Sequence, residues 1–140
     1  MWEIRSIASN EAEAVRQLLI GAGWERSVAD PIDFAVLLDR SQIKLVAIEE
    51  GEVIGFICGL TDGMSNGYIS MLVVNEHRRR NGIGRALVEA AMGDNMEITW
   101  TLLAVGSDGV AEFYEKIGFQ RSVEGMERRG RRHEPKPRRP

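Results

Sequence analysis

The sequence lacks the features that mark secreted, membrane-spanning and metal-binding proteins. It has a single cysteine, so no disulfide can form within the chain, and Cys58 lies in an apolar run typical of a buried residue. No apolar run is long enough to span a bilayer, and the acidic N-terminal segment has no signal-peptide core. No spacing of histidine, cysteine and acidic residues suggests a metal site. These absences predict a cytoplasmic protein with no membrane partner and no bound metal.

Charge is distributed unevenly along the chain. The formal net charge of the 140 residues is -3 at pH 7, yet residues 128–140 contain seven Lys or Arg and one Glu. This segment also holds three of the four prolines and is predicted to be a disordered tail. Residues 1–127 carry a net negative charge. They also contain enough apolar residues for a hydrophobic core, which predicts one folded domain. An acidic domain makes nucleic acid an unlikely partner and suits a cationic substrate such as an amine.

Hydrophobic periodicity and turn residues predict an α/β (α+β) fold of order β-α-α-β-β-β-α-β-α-β. We expect a central mixed sheet of six to seven strands flanked by four helices. Ser9 or Asn10 is expected to cap the first helix, Asp30 the second, and Glu50-Gly51 to form a hairpin turn. The predicted strands are Trp2–Ile7, Ile43–Glu50, Glu52–Leu60, Tyr68–Val74, Glu97–Val105 and Phe119–Val123, and the helices are Ser9–Gly23, Pro31–Arg40, Ile83–Met92 and Asp108–Phe119.

The segment from His77 to Arg85, here called the arginine–glycine loop, joins a buried strand to the start of a helix. The first N–H groups of a helix have no partner within it, and its dipole adds partial positive charge there. Gly82 and Gly84 let an anion approach the backbone, and Arg79, Arg80 and Arg85 add charged donors. This pattern is typical of a phosphate site. The alternative is an ordinary strand-to-helix turn with solvated arginines.

The loop fits neither of two common nucleotide motifs. A dinucleotide fingerprint needs a third glycine where Leu87 stands, and no Walker sequence occurs. The residues from Arg79 to Gly84 instead match Arg/Gln-x-x-Gly-x-Gly/Ala, and the sequence resembles the Gcn5-related N-acetyltransferase (GNAT) family. The segment Ala111–Phe119 is similar to a second family motif, Phe-Tyr-Glu-Lys-Leu-Gly-Phe. The resemblance spans Trp2–Val123 and leaves out the basic tail.

The resemblance implies transfer of an acetyl group from acetyl-CoA, a cosubstrate, to an amine. Amides of the arginine–glycine loop would bind the CoA pyrophosphate, and the strand before it would pair with the pantetheine arm. Ser107 stands where many members have an Asn that binds the cofactor. The implied cofactor-binding residues are Leu72, Val73, Val74, Arg79, Arg80, Asn81, Gly82, Ile83, Gly84, Arg85 and Ser107.

The resemblance also implies a general acid, Tyr114, which would protonate the departing thiolate; the alternative is that Tyr114 only packs. No carboxylate lies on the strand Tyr68–Val74, where family members often have the base. Asp62 and Glu76 flank this strand and are candidate bases, and Tyr68 and Ser70 are the nearest hydroxyls.

The sequence leaves three functions open. The first is an N-acetyltransferase acting on a primary amine of a small molecule or a peptide. The second is a catalytically inactive CoA-binding protein, which the missing strand carboxylate and Ser107 keep open. The third is a nucleic-acid or ribosome-associated module that uses the basic tail. A homodimer is compatible with each.

Overall fold

The computed structural model describes residues 1–104 and 109–131, without the side chain of Ser27. The described residues contain two short 3₁₀ helices, Ser9–Glu11 and Glu76–Arg78. The strands are β1 (Glu3–Ser6), β2 (Ile43–Glu49), β3 (Glu52–Thr61), β4 (Asn66–Val74) and β5 (Thr99–Leu102), and the α-helices are α1 (Ala12–Gly21), α2 (Glu25–Val28), α3 (Pro31–Arg40), α4 (Ile83–Met92) and α5 (Val110–Lys116).

Backbone contacts divide the chain into two compact units, Met1–Leu103 and Ala104–Pro140. The first contains all five strands and α1 to α4, and the second contains α5. This division falls inside the expected domain 1–127, whose extent stays a prediction. Most of the expected tail, residues 132–140, lies outside the described residues.

The five strands form one sheet in the order β1-β2-β3-β4-β5. The first three neighbouring pairs are antiparallel, and β4 and β5 are parallel, so the sheet is mixed as predicted. Glu50 and Gly51 form the expected hairpin turn, with φ values of 51° and 80°. Two successive positive φ values are typical of the tight turns that match the twist of a hairpin.

The first unit has an apolar core on each face of the sheet. On one face, α1 and α3 place Leu19 and Phe34 against Phe56 and Cys58 of β3. On the other face, α4 lies so close to β3 that a Cβ on Gly55 would lie 3.0 Å from a methyl of Leu87. Full burial of such side chains contributes about 1.5–3 kcal/mol each, so the sheet is held between the helices.

The helix starts confirm one predicted cap and correct another. Asp30 caps α3 as expected, since its carboxylate accepts from the N–H groups of Ile32 at 2.8 Å and Asp33 at 3.1 Å. The prediction of Ser9 or Asn10 as the cap of the first helix was wrong. The chain there forms a 3₁₀ turn instead, and the Glu11 carboxylate accepts from the Ala8 N–H at 2.7 Å.

The expected fold class is confirmed, with a smaller sheet than predicted. Five strands rather than six to seven occur in the described ranges, and Phe119–Val123 is not a strand. The helices include the four predicted and the additional single turn α2. In residues 1–104 and 109–131, no helix is both long and apolar enough to cross a membrane.

Candidate active site

The strand β4 loses its second neighbour halfway along its length. The last pair between β4 and β5 is Ile69 with Leu102, whereas β3 stays paired with β4 as far as Val74. Within the described residues, the second half of β4 therefore has one edge without a partner strand. Such an edge presents unpaired N–H and C=O groups, which can bind an extended ligand as an added strand.

A β-bulge marks the place where β5 leaves β4. Cys58 of β3 faces Met71, and the next residue, Gly59, faces Ile69, so Ser70 is the extra residue in β4. The Ser70 hydroxyl donates to the Cys58 carbonyl oxygen at 3.1 Å and lies 3.3 Å from the Cys58 sulfur. Burial raises the pKa of the Cys58 thiol to about 11, so the thiol stays protonated and can donate to Ser70.

The arginine–glycine loop is fixed to the sheet at its beginning. The Asn75 N–H donates to the Ile54 carbonyl at 2.8 Å, and the Asn75 side chain accepts from the His77 N–H at 2.9 Å. Arg78 donates to the Glu49 carboxylate at 2.8 Å. The loop is thereby attached to both strands of the β2–β3 hairpin before it reaches α4.

The backbone of the loop turns sharply just before α4. Arg80 has a φ of 69° and Gly82 a φ of 81°, in the left-handed region that favours glycine. The first intrahelical bond runs from the Ala86 N–H to the Gly82 carbonyl at 3.0 Å. The preceding N–H groups of Ile83, Gly84 and Arg85 therefore have no acceptor within the helix. Their position fits the predicted anion site.

The four arginine side chains of this region do not all contribute equally to that predicted site. Arg79 and Arg80 are exposed, and they form no ion pair with the described residues. Arg85 instead pairs with Glu89 one turn along α4, at 3.2 Å. The free cationic charge beside the helix start thus comes mainly from Arg79 and Arg80.

A cleft of about 310 Å³, here called the loop cleft, lies between α1 and the end of β4. Gln17, Leu18 and Gly21 of α1 line it, together with Ala22 just after the helix. From the sheet side it is lined by Val73, Val74, Asn75, Glu76, His77 and Arg79. The loop cleft therefore joins part of the unpaired edge of β4 to the arginine–glycine loop.

This geometry agrees with a comparison to protein-family models. Residues 40–121 match the acetyltransferase (GNAT) domain, and the matched segment includes the hairpin, β4, the arginine–glycine loop and α5. The chain belongs to the GNAT acetyltransferase family. A comparison with curated proteins finds no match.

Solved structures of acetyltransferases share the fold over nearly the whole chain. A GNAT family acetyltransferase of Streptococcus pneumoniae is 24% identical, with a TM-score of 0.75 over 94% of this chain and 98% of its own. Ard1 of Thermoplasma volcanium is 25% identical, with a TM-score of 0.69 over 87% and 84%. A ribosomal-protein-alanine N-acetyltransferase of Brucella melitensis is 20% identical, with a TM-score of 0.69 over 92% and 99%. These likenesses agree on the GNAT fold.

The second family motif forms α5 and its C-terminal cap in the second unit. Gly118 has a φ of 108°, and the Phe119 N–H donates to the Tyr114 carbonyl at 3.0 Å. The rings of Tyr114 and Phe119 meet edge to face at 5.5 Å. This is a Schellman cap with its usual hydrophobic contact, so the spacing of the motif has a structural reason of its own. Burial raises the pKa of Tyr114 to about 12, which keeps the hydroxyl protonated.

The two candidate bases lie at opposite ends of β4. The Asp62 carboxylate accepts from the N–H groups of Met64 and Ser65, both at 2.8 Å, and from the Ser65 hydroxyl at 2.6 Å. These bonds, led by that from the hydroxyl, hold the pKa of Asp62 well below its usual range and weaken it as a base. Glu76 is exposed in the 3₁₀ helix after β4, six residues beyond Ser70, a chain length of up to roughly 20 Å.

The sequence analysis missed two residues that hold the candidate site in place, Ser70 and Arg78. One predicted residue, Ser107, lies outside the described residues. Ser70 was noted only as a nearby hydroxyl, and Arg78 was not assigned to the site. A polar residue inside an apolar strand was the available signal for Ser70. Arg78 had no local signal, because its partner Glu49 is distant in sequence. Ser107 lies in the segment 105–108, outside the described residues.

Proposed function

We propose that this protein transfers an acetyl group from acetyl-CoA to a primary amine of a small molecule or a peptide. The observation that most supports the proposal is that the unpaired edge of β4 leads directly into the helix start at Gly82. Backbone groups of Leu72 to Val74 would pair with the pantetheine arm. Amides from Arg79 to Gly84, with the charges of Arg79 and Arg80, would bind the pyrophosphate.

The proposed reaction is direct attack in a ternary complex. The neutral amine attacks the thioester carbonyl, the carbon–sulfur bond breaks, and the thiolate leaves. Holding both reactants together supplies much of the acceleration, because a bimolecular step becomes effectively unimolecular. A backbone N–H near Leu72 would polarise the carbonyl. Tyr114 is the proposed donor of the proton that the thiolate takes up.

Deprotonation of the amine is the step with the weakest candidate residue. An alkyl amine with a pKa of about 10.4 is neutral in roughly one molecule in a few thousand at pH 7. Neither Asp62, with its lowered pKa, nor Glu76, beyond the end of β4, is well suited to remove the proton directly. We therefore favour loss of the proton to water, with Asp62 and Glu76 as the secondary candidates.

A screen of acetyl-CoA consumption over a set of amines tests the proposal, with the products identified by mass spectrometry and CoA binding measured by calorimetry. Binding together with an acetylated product is the expected result. Binding without turnover of any amine would favour a catalytically inactive CoA-binding protein. Absence of CoA binding would overturn the proposal.

Truncation after Arg128 tests whether the protein works as an enzyme or as a nucleic-acid or ribosome-associated module that uses the basic tail. We expect the shortened chain to keep its CoA affinity and melting temperature, since the family match ends at residue 121. A loss of CoA affinity or a lower melting temperature in the shortened chain would contradict this expectation.

A further inference from the structure

A second cleft lies at the start of β4, at the other end of the strand from the arginine–glycine loop. Its volume is about 420 Å³. Its floor is a row of side chains across three strands, in which Leu60 of β3 pairs with Tyr68 of β4, and Tyr68 pairs with Thr101 of β5. Cross-strand neighbours project from the same face of a sheet, so these three side chains form one continuous surface. We call it the entry cleft.

The entry cleft and the loop cleft open on the same face of the sheet. Leu60 lies two residues after Cys58 and so shares its face, and Cys58 belongs to the same apolar core as Val73 of the loop cleft. Ser70 lies between the clefts, where β5 leaves β4. Molecules in the two clefts would therefore approach Ser70 from opposite ends of β4.

Asp62 supplies the charge of the entry cleft. It is the one charged residue among those that line the cleft, the others being Gln42, Leu60, Thr61, Asn66, Gly67, Tyr68 and Thr101. Among the described residues it has no cationic partner, and it is held in place by its own loop. Its Oδ2 accepts only the Ser65 hydroxyl there, which leaves acceptor capacity for a further donor.

We infer that the entry cleft binds the acceptor, and that the acceptor is an amine whose carbon stem ends in a second cationic group. The stem would lie on Leu60 and Tyr68, the second cation would pair with Asp62, and the reacting amine would point along β4 towards Ser70. The inference rests on the proposed function, because it needs the thioester of acetyl-CoA at the opposite side of Ser70. It assigns Asp62 to recognition of the substrate rather than to removal of its proton.

The test compares two probes that differ in one terminal group. Cadaverine has an amine at each end of a short carbon chain, and its analogue aminopentanol has a hydroxyl in place of one amine. Initial rates with saturating acetyl-CoA give kcat/KM for each, and the value for cadaverine is halved because it has two equivalent amines. Asp62→Asn removes the charge but keeps the oxygen that accepts the loop N–H groups. Glu52→Gln, at the other end of β3, is the matched control.

We expect the wild-type chain to prefer cadaverine by roughly fivefold or more, as a close charge pair near a protein surface allows. Asp62→Asn should remove this preference and leave CoA affinity unchanged, whereas Glu52→Gln should retain it. Equal use of both probes by the wild type, or an unchanged preference in Asp62→Asn, would overturn the inference. CoA binding with neither probe acetylated would overturn it as well, without touching the cofactor site. Failure to bind CoA would instead refute the proposed function.

Discussion

The hydroxyl of Ser70 donates to the carbonyl oxygen of Cys58 at 3.1 Å, and it does so at the extra residue of the β4 bulge. The bond ties β4 to β3 at the point where β5 departs. The geometry of the unpaired edge therefore depends on a side-chain hydrogen bond between two neighbouring strands.

Replacing Ser70 with Ala should destabilise the fold and slow the reaction. The Cys58 carbonyl loses the hydrogen bond from the Ser70 hydroxyl, a cost of about 1–3 kcal/mol in the free energy of unfolding, measurable by denaturant titration. A shifted bulge misplaces the reacting groups, so kcat should fall at least roughly tenfold while CoA affinity changes little. Ser70→Thr keeps the hydroxyl and should restore most of kcat. If Thr and Ala at this position are equally impaired, the hydroxyl does not position the strand.

Gly84→Asp should weaken CoA binding without lowering the stability of the fold. A carboxylate in the first turn of α4 interacts favourably with the helix dipole, so the melting temperature should hold or rise slightly. The same carboxylate would repel the pyrophosphate, and we expect CoA affinity to fall at least roughly tenfold by calorimetry. Gly125→Asp, where a Cβ meets open space, is the control. An unchanged affinity in Gly84→Asp would contradict the phosphate site.

Tyr114→Phe should lower kcat with little effect on stability. The ring contacts with Phe113 and Phe119 are kept, and only the proton donor is lost. General acid catalysis contributes about 10²–10⁴-fold, so kcat should fall within that range. Because burial raises the pKa of Tyr114 to about 12, the reduction should be the same at every pH from 6 to 9. Tyr114→Leu should lower the melting temperature as well. Full kcat in Tyr114→Phe would leave Tyr114 as a packing residue.

Gly67→Ala should destabilise the pairing of β4 with β5. A Cβ at this position would overlap the indole ring of Trp100, which lies across the glycine. Overpacking of this kind typically costs about 1–3 kcal/mol in the free energy of unfolding. Gly125→Ala adds the same methyl group in open space and should be close to neutral. Equal stability of the two variants would show that Trp100 moves away without cost.

The ion pair of Glu13 with Arg16 should stabilise the fold at neutral pH, and this stabilisation should be lost in acid. Hydrogen bonds from Arg16, and then from Gln17, lower the pKa of Glu13 from 4.5 to about 2. A carboxyl with a lowered folded-state pKa stabilises above its unfolded pKa and loses that contribution as pH falls towards the folded pKa. Glu13→Gln should therefore melt slightly below the wild type at pH 7, and the difference should shrink between pH 4.5 and 2. A difference that is constant with pH would contradict the assignment.

Local sequence was enough to predict the elements whose signals are local. The bounds of α4, Ile83–Met92, agree with the prediction, because glycines flank an amphipathic run at both ends. The Asp30 cap and the turn at Glu50-Gly51 were also predicted correctly, since each depends on residues that are adjacent in the chain. The expected strand Phe119–Val123 failed for the opposite reason: a strand needs a partner, and β propensity alone does not supply one.

The sequence by itself determined the family, the helix-start loop and the order of the elements apart from α2 and the expected last strand, because each of these depends on the spacing of neighbouring residues. Only the tertiary structure decided where β5 leaves β4, which residue forms the bulge and which face the two clefts share. Those features depend on the register between strands that are distant in sequence, such as Cys58 against Met71 and Tyr68 against Thr101. A shift of one residue in either pairing would turn the same side chains to the other face of the sheet, and no local pattern records that choice.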